Sequence, residues 1–353
     1  MSTGLAIVGC GARTPVGFDR RSTAAAVRAG IGAIGEHPFM LDRFNQPMKV
    51  ARDAGLDPHL EGFERLRALA IPAAREALRP LEGSTRAPKV SIVVSAGEKR
   101  PGLRGDTSAA LADALRDDLA GSIRIGQQLH WMGGHAGGIV ALETASRLLM
   151  EGGTDLVLAG GVDSYLFRDT LEWLDDNEQL HSENNIYGFC PGEAAGFVLV
   201  TRQDTAHRLG LAPLLSLVST GAGVENNLLK TEDICLGQGL ATAFLAAAEQ
   251  LPEAQRVDRI ICDMNGERYR GNEYGFAVLK APRLFMDAAA FEAPADCWGD
   301  VGAASGPLYV NLVAAAEERG YAQGPLSLIW ASSESGRRAA AIFRRPPSHR
   351  RGA

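Results

Sequence analysis

His135 is a candidate for acid–base chemistry in this sequence. It follows Gly133 and Gly134 and comes just before a long apolar segment. An imidazole beside a carboxylate can act as a general base, because the negative charge raises the imidazole pKa. Such a base needs a nucleophile to activate, and Ala136 and Gly137 follow His135 where a serine or cysteine would be needed. The local sequence therefore offers a base without a neighbouring nucleophile.

The cysteines do not form a recognisable chemical site. They are widely separated and show no CxxC spacing, so the sequence predicts neither a zinc site nor a disulfide framework. Most of them are expected to be small buried side chains. The cysteines are Cys10, Cys190, Cys235, Cys262 and Cys297.

A glycine-rich turn near the start lacks the pattern of a nucleotide site. Gly9 and Gly11 close the apolar run that begins at Leu5, but no third glycine lies at the required offset. The chain then reaches Pro15 instead of entering a helix, as a dinucleotide site requires. We expect no cofactor and no bound metal.

Composition indicates a large globular protein. The 353 residues are 46% hydrophobic, and the formal net charge of −6 argues against a nucleic-acid-binding surface. The chain starts without a basic segment followed by a long apolar run, and it has no stretch long enough to cross a bilayer. We therefore expect a cytoplasmic protein without a membrane span. The end of the chain is basic and proline-containing, which predicts a disordered tail over 344–353.

Segments typical of strands and of helices alternate along the chain. This alternation, in two similar halves, predicts a layered α/β fold with helices between and outside two sheets. The predicted halves are 1–205 and 206–343. Strands are predicted over 5–10, 90–94, 156–159, 197–200, 214–218, 259–262, 326–330 and 339–343. Helices are predicted over 63–78, 107–119, 140–150, 240–251 and 308–318.

Six segments, in this order, resemble the landmarks of β-ketoacyl synthases of the thiolase-like superfamily. GGHAGGIVALETASRLLM resembles the nucleophile elbow and buried helix, TDLVLAGGVDS the following strand, and FCPGEAAGFVLV the segment that closes the first half. The second half has ICDMNGERYRGNEYG, CWGDVGAASGPLYVNLVAAA and WASSESGRRAAAIF where the family has two histidine motifs and a glycine-rich turn. The resemblance implies a five-layered α-β-α-β-α thiolase-like fold made of two similar halves.

The same resemblance implies that the family's chemical groups have been replaced. His135 stands at the position of the nucleophilic cysteine, and Asn265 and Asp300 stand at those of the two histidines. Ala295 stands at the lysine and Glu334 at the gating phenylalanine. Condensation needs a thiolate to hold the acyl group and donors to stabilise an enolate oxygen. We expect no condensing activity and no catalytic residues of that type.

Other residues near these motifs are interpreted as structural. Glu193 matches a family glutamate with a mainly structural role, and Glu273 falls at the later aspartate of the first histidine motif. A displaced cysteine could replace the nucleophile, but Cys190 and Cys297 are interpreted as packed side chains. His130, on the strand that enters the elbow, is likewise expected to be structural.

Two interpretations of the replaced positions stay open. If the fold is kept, His135, Asn265 and Asp300 should converge, and the favoured hypothesis is a polar cluster that fills the former pocket. In the alternative, Asp300 makes His135 a base in a new active site. A metal held by these two residues alone would have too few ligands.

The favoured function is a thiolase-fold protein that has lost condensing activity and acts as a non-catalytic partner, adaptor or chaperone. Members of the family usually pair through the strands beside the nucleophile helix, which implies a homodimer or a heterodimer with an active synthase. Chain-length partners of polyketide synthases show such pairing without a cysteine. Degenerate relatives also occur beside type VI secretion effectors in Gram-negative bacteria, which implies a secreted effector as client.

Two other functions are carried as alternatives. One is an acyltransferase or thioester-processing enzyme that acts on acyl carrier protein or acyl-coenzyme A without a covalent cysteine. The other is a sensor of acyl ligands, which needs an apolar tunnel. Glu334 and Arg337 near the former gate argue against a tunnel, because burying unpaired charge is costly.

Overall fold

The computed structural model describes residues 4–83, 87–228, 231 and 233–346. The strands of the first half are β1 (Leu5–Arg13), β2 (Ile34–Leu41), β3 (Pro47–Ala51), β4 (Lys89–Ala96), β5 (Arg124–Met132), β6 (Leu156–Ser164) and β7 (Glu193–Arg202). Its helices are α1 (Arg20–Arg28), α2 (Gly62–Leu78), α3 (Thr107–Leu119), α4 (Gly134–Glu151) and α5 (Arg168–Asp176). Helix α6 (Gln203–Leu209) leads into the second half.

The second half repeats the alternation of strands and helices. Its strands are β8 (Leu215–Val224), β9 (Arg259–Cys262), β10 (Phe291–Glu292), β11 (Leu326–Ser332) and β12 (Arg337–Arg344). Its helices are α7 (Gln238–Ala248), α8 (Arg268–Lys280), α9 (Ala295–Trp298) and α10 (Ser305–Arg319).

The two halves have the same strand topology. The main sheet runs β5-β4-β6-β7-β1 and continues as β8-β12-β11-β9-β10, with a short β1–β8 pairing joining the halves. The pairs β4–β5, β4–β6, β9–β10 and β9–β11 are parallel. The pairs β6–β7, β1–β7, β11–β12 and β8–β12 are antiparallel. The prediction of two similar halves is confirmed.

Helices α4 and α10 form the central layer between the two halves of the sheet. Both are buried along most of their length, and they cross closely because the contact is made by glycines. A Cβ on Gly138 would lie 2.4 Å from Pro307 Cδ, and one on Gly306 would lie 2.6 Å from Ile139 Cγ1. Helices α2 and α3 cover the first half and α7 and α8 the second. The predicted five layers, α-β-α-β-α, are thus confirmed, with the two predicted sheets joined through β1 and β8 into one.

Some helices and strands have the predicted bounds, and the bounds of others depend on tertiary packing. The helix over 107–119 and the strand over 259–262 have the predicted bounds. Helix α4 starts at Gly134 instead of Val140, because its glycine-rich first turns are stabilised by packing. Helix α8 and the β2–β3 hairpin were not predicted.

The structure also bears on the predicted boundary between the halves and on the predicted C-terminal tail. The predicted boundary at 205/206 stays a prediction and falls inside α6. The last strand reaches Arg344, and Arg345 Nε lies 2.5 Å from Glu317 Oε2, so these first residues of the predicted tail lie against the fold. Residues 347–353 of that tail lie outside the described residues. Within the described parts of the chain, no helix combines the length and apolar character that crossing a bilayer requires.

Candidate functional site

A buried ion pair lies where the chain enters the central helix. His135, the second residue of α4, follows β5, and Asp300 lies in the turn between α9 and α10. His135 Nε2 is 2.8 and 2.9 Å from the two carboxylate oxygens of Asp300. The two side chains are 2% and 3% exposed. Because a carboxylate accepts, the N–H on Nε2 is the donor of this contact.

Asn265 and a backbone amide also donate hydrogen bonds to Asp300. Asn265 Nδ2 donates to Asp300 Oδ2 at 2.7 Å and to Glu267 Oε2 at 2.9 Å. The Gly302 N–H donates to Asp300 Oδ1 at 2.9 Å. The structure thus brings together His135, Asn265 and Asp300, the three residues expected to converge.

Arg270 adds a positive charge that the sequence did not predict. Its Nη1 donates to Asp263 Oδ2 at 2.8 Å and to the Ser332 carbonyl at 3.0 Å. Its Nη2 lies 3.3 Å from His135 Nε2. Since that nitrogen already donates its proton to Asp300, this contact is a close approach of two donors. Arg270 is 1% exposed, so it belongs to the interior of the cluster.

The cluster shifts the pKa values of its members in opposite directions. Burial lowers the pKa of His135, the Asp300 carboxylate raises it and Arg270 lowers it, leaving the pKa above its ordinary value. Burial raises the pKa of Asp300, but His135 and Arg270 lower it far below its ordinary value. Nδ1 of His135 has no hydrogen-bond partner among the described residues. With the Nε2 proton donated to Asp300, Nδ1 is the ring nitrogen left for a second proton.

The segment after β11 holds the start of α4 in place. Ser333 Oγ donates to the Gly133 carbonyl at 2.7 Å and accepts from the Ala136 N–H at 2.9 Å. Glu98 accepts the N–H groups of Glu334 at 3.0 Å and Ser335 at 2.9 Å. Glu334, which stands where the resemblance places the family's gating phenylalanine, is therefore half-buried and fixed by its backbone.

The two arginines at the start of β12 differ in exposure from each other. Arg337 is exposed, whereas Arg338 is fully buried, with its Nε 2.5 Å from Glu273 Oε1. The expectation that Arg337 bears on the interior is corrected: the inward charge is that of Arg338, because adjacent residues of a strand point to opposite faces.

One group of potential metal ligands exists among the described residues. Ligand atoms of Glu225, Cys235 and Glu273 lie within 4.8 Å of one another. Arg338 already pairs with Glu273, and Glu225 accepts the N–H groups of Asn227 and Gly239 at 3.4 and 3.0 Å. These contacts neutralise or occupy the carboxylates, so the group fits an internal ion-pair network better than a cation site.

The remaining predicted residues lie apart from the cluster's side chains. Burial raises the pKa of the Cys190 thiol to about 11 and also raises that of Cys297, which disfavours a thiolate at either position. His130 is exposed on β5, with Nδ1 3.2 Å from Ser108 Oγ. Ala295 is half-buried at the start of α9.

Glu193, the first residue of β7, links α2, the segment after β3 and the end of β6. It is fully buried, and Arg65 Nε and Nη2 donate to its two oxygens at 2.5 and 2.6 Å. The same carboxylate accepts from the Asp53 N–H at 2.9 Å and from Ser164 Oγ at 3.0 Å. Four donors therefore converge on one buried carboxylate.

Sequence reasoning missed Arg270, Asp263 and Glu267. A signal was present, because the segment after Cys262 is dense in charge although it directly follows an apolar strand. Its alignment with a family loop motif hid the helical register that turns Arg270 inward.

Comparison with known proteins supports this fold. Residues 126–206 match the family model described as the N-terminal domain of β-ketoacyl synthase. No curated protein matches the chain.

Solved structures similar to this one are ketosynthases and a related complex. The ishigamide ketosynthase/chain length factor is 21% identical, with a TM-score of 0.74 over 97% of this chain and 99% of that one. The type II polyketide synthase complex AntDE:AntF, an acyl carrier protein with its ketosynthase, is 14% identical, with a TM-score of 0.79 over 98% of this chain and 100% of that one. A β-ketoacyl synthase from Burkholderia phymatum STM815 is 15% identical, with a TM-score of 0.73 over 98% of this chain and 100% of that one. The chain therefore has the thiolase-like fold of ketosynthases.

Proposed function

We propose that this protein is a thiolase-fold partner without condensing activity, acting as an adaptor or chaperone. The observation that carries the proposal is the buried ion pair of His135 and Asp300 at the positions that resemble the family's cysteine and second histidine. Asp300 places negative charge where condensation would develop negative charge, so it opposes that chemistry. The nearest donors, on His135 and Asn265, are directed at Asp300 instead of at a substrate.

Opening this site for an acyl group is energetically unfavourable. Separating a buried, hydrogen-bonded ion pair costs about 3–5 kcal/mol when one partner is left uncompensated. His135 and Asp300 are both almost inaccessible to solvent, and Arg270 packs against them. The cluster therefore supports a site that has been refilled to stabilise the fold.

Strand β5 is the surface that we assign to a partner. It is the outer strand of the described sheet, and it leads directly into α4. Each of its residues is at least partly exposed, unlike the mostly buried strand β4 beside it and the buried strand β6 on the far side of β4. An unpaired edge can receive a strand from a second chain. We propose two-fold pairing through β5, in a homodimer or in a heterodimer with an active synthase.

The comparisons and the family resemblance support two kinds of partner. One similar structure is a ketosynthase/chain length factor and another holds an acyl carrier protein. An active synthase subunit and an acyl carrier protein are therefore the first partners to test. A secreted effector of the type VI system is the proposed client if the protein acts as an adaptor in the bacterial cytoplasm.

Lysines placed at two exposed positions of β5 will separate a homodimer. In Gln127→Lys/His130→Lys, two-fold pairing would bring four added charges together, and like charges across paired strands repel. Light scattering after gel filtration should show a dimer for the unchanged chain and a monomer for this variant. The control, Gln250→Lys/Asn272→Lys, adds the same charge at exposed positions elsewhere and should stay dimeric. A dimer that survives in the β5 variant would contradict this assignment.

A second candidate function is favoured by one observation. Nδ1 of His135 is buried and lacks a hydrogen-bond partner among the described residues, so it could act as a base in a thioester-processing enzyme. Such an enzyme would act on acyl-coenzyme A or acyl carrier protein without a covalent cysteine. The two candidates differ in whether a thioester is consumed.

A further inference from the structure

A groove rich in arginine lies between α1 and the C-terminal end of α10. Its volume is about 810 Å³, and small side chains, including Ala25 and Ala315, line it between the charges. The arginines around it are Arg20, Arg21, Arg28 and Arg319. This concentration of positive charge contrasts with the net charge of −6 for the whole chain.

Three of these arginines keep their charge uncompensated. Arg20 donates to Glu318 at 2.5 Å. The Arg28 guanidinium lies 4.1 Å from the centroid of the Tyr321 ring. No described carboxylate lies within ion-pair distance of Arg21, Arg28 or Arg319. Positive charges gathered around a groove attract an anionic partner and orient its approach.

The spacing of the arginines discriminates between anionic ligands. Arg21 and Arg28 are seven residues apart on α1, so their backbones are about 10 Å apart along the helix axis. The Arg28 guanidinium lies over the Tyr321 ring, so a ligand whose anionic groups are spaced along α1 reaches both arginines without displacing that contact. Carboxylates at positions i, i+4 and i+7 of a helix are spread over a similar length on one face. The alanines between the arginines leave room for the backbone of such a helix.

We propose that this groove binds an acidic helical segment of a partner protein. The inference rests on the proposed adaptor function and adds a second surface to it. Helix α10 starts near Asp300 and extends for about 22 Å, so the groove is at the far end from the His135 cluster. It is also separate from β5, since α1 packs on β1 and α10. The chain's own terminal segment contains Arg350 and Arg351 and does not complement the groove.

Binding of a designed acidic helix tests the proposal. The probe is a fluorescein-labelled, alanine-based 20-residue peptide with glutamates at helical spacings i, i+4 and i+7, and fluorescence anisotropy measures its affinity for the full chain. We expect binding that weakens as sodium chloride rises from 50 to 200 mM. Arg21→Ala/Arg319→Ala should raise the Kd at least about fivefold, as expected for loss of two rim charges.

The matched control is Arg147→Ala/Arg168→Ala, which removes the same charge from exposed arginines elsewhere. It should change the Kd less than about twofold, because distant surface charges are screened. Equal weakening by both double variants would show non-specific attraction and overturn the proposal. So would displacement of the peptide by millimolar inorganic phosphate, equal binding of a glutamine peptide, or tighter binding of a single-stranded oligonucleotide. If peptide binding fails while lysines on β5 still separate the dimer, only the groove assignment is wrong.

Discussion

Glu193→Ala is expected to lose about 3–5 kcal/mol of the free energy of unfolding. The change leaves the Arg65 guanidinium buried without its carboxylate, since Arg65 is 1% exposed. It also removes the acceptor of Ser164 Oγ and of the Asp53 N–H. Urea unfolding followed by tryptophan fluorescence and circular dichroism measures the loss.

Two further variants separate the ion pair from simple loss of packing. Glu193→Gln keeps the shape and should lose less stability than Glu193→Ala, and it serves if the alanine variant does not fold. Glu193→Leu/Arg65→Met removes both charges and should recover much of the loss, because neither partner stays buried and unpaired. A Glu193→Ala protein that unfolds at the wild-type urea concentration would show that this carboxylate is not structural.

Asp300→Ala is expected to cost about as much as the loss of a partner from any buried ion pair, about 3–5 kcal/mol. The substitution leaves His135 Nε2 and Asn265 Nδ2 without their shared acceptor. It also leaves Arg270 next to an imidazole that has lost its neighbouring negative charge. The urea midpoint at pH 6, where more of His135 is protonated, measures the loss.

The pH dependence of stability distinguishes the ion pair from other effects at this site. The pKa of His135 in the folded protein lies above its ordinary value of 6.5. Its contribution is therefore fully present below pH 6.5 and is lost as the pH rises through the folded-state pKa. The pKa of Asp300 is lowered, so its contribution is lost only in acid, below pH 3.8. Between pH 6 and 9, titration of His135 therefore sets the pair's contribution to the pH dependence of the unfolding free energy.

Asp300→Asn should therefore flatten the decline in unfolding free energy between pH 6 and 9. Asparagine keeps the shape but removes the charge that raises the imidazole pKa. Titration of other groups affects both proteins alike, so the difference between their pH profiles isolates the pair. Identical slopes in the two proteins would mean that His135 does not bind its proton against Asp300.

The sequence predicted the layers of the fold because most of their elements carry a local signal. The apolar spacing of 107–119 and the short buried run of 259–262 are local properties, and both had the predicted bounds. Helix α8 was missed because its buried face carries Arg270 and Glu273, which break the apolar periodicity. An ion-paired interior does not produce the pattern of a hydrophobic one.

The sequence predicted three residues of the candidate site but not the charged residues around them. Motif order indicated that His135, Asn265 and Asp300 would meet, and they do. The role of Arg270 depends on its helical register and on the end of β11, which places the Ser332 carbonyl in reach. Neither is visible in a local pattern. The arginine groove joins α1 to residues almost 300 positions later, so only the fold brings its charges together.

Thioester turnover is the most direct test of whether the His135–Asp300 cluster is catalytically inactive. Purified protein is incubated with acetyl- and malonyl-coenzyme A and with acyl carrier protein. Intact mass then reports any acyl adduct, and thiol release reports turnover. The proposed function predicts an unchanged protein mass and thiol release at the rate of buffer alone. An adduct or turnover that is lost in His135→Ala and kept in His130→Ala would contradict it and establish the enzyme instead.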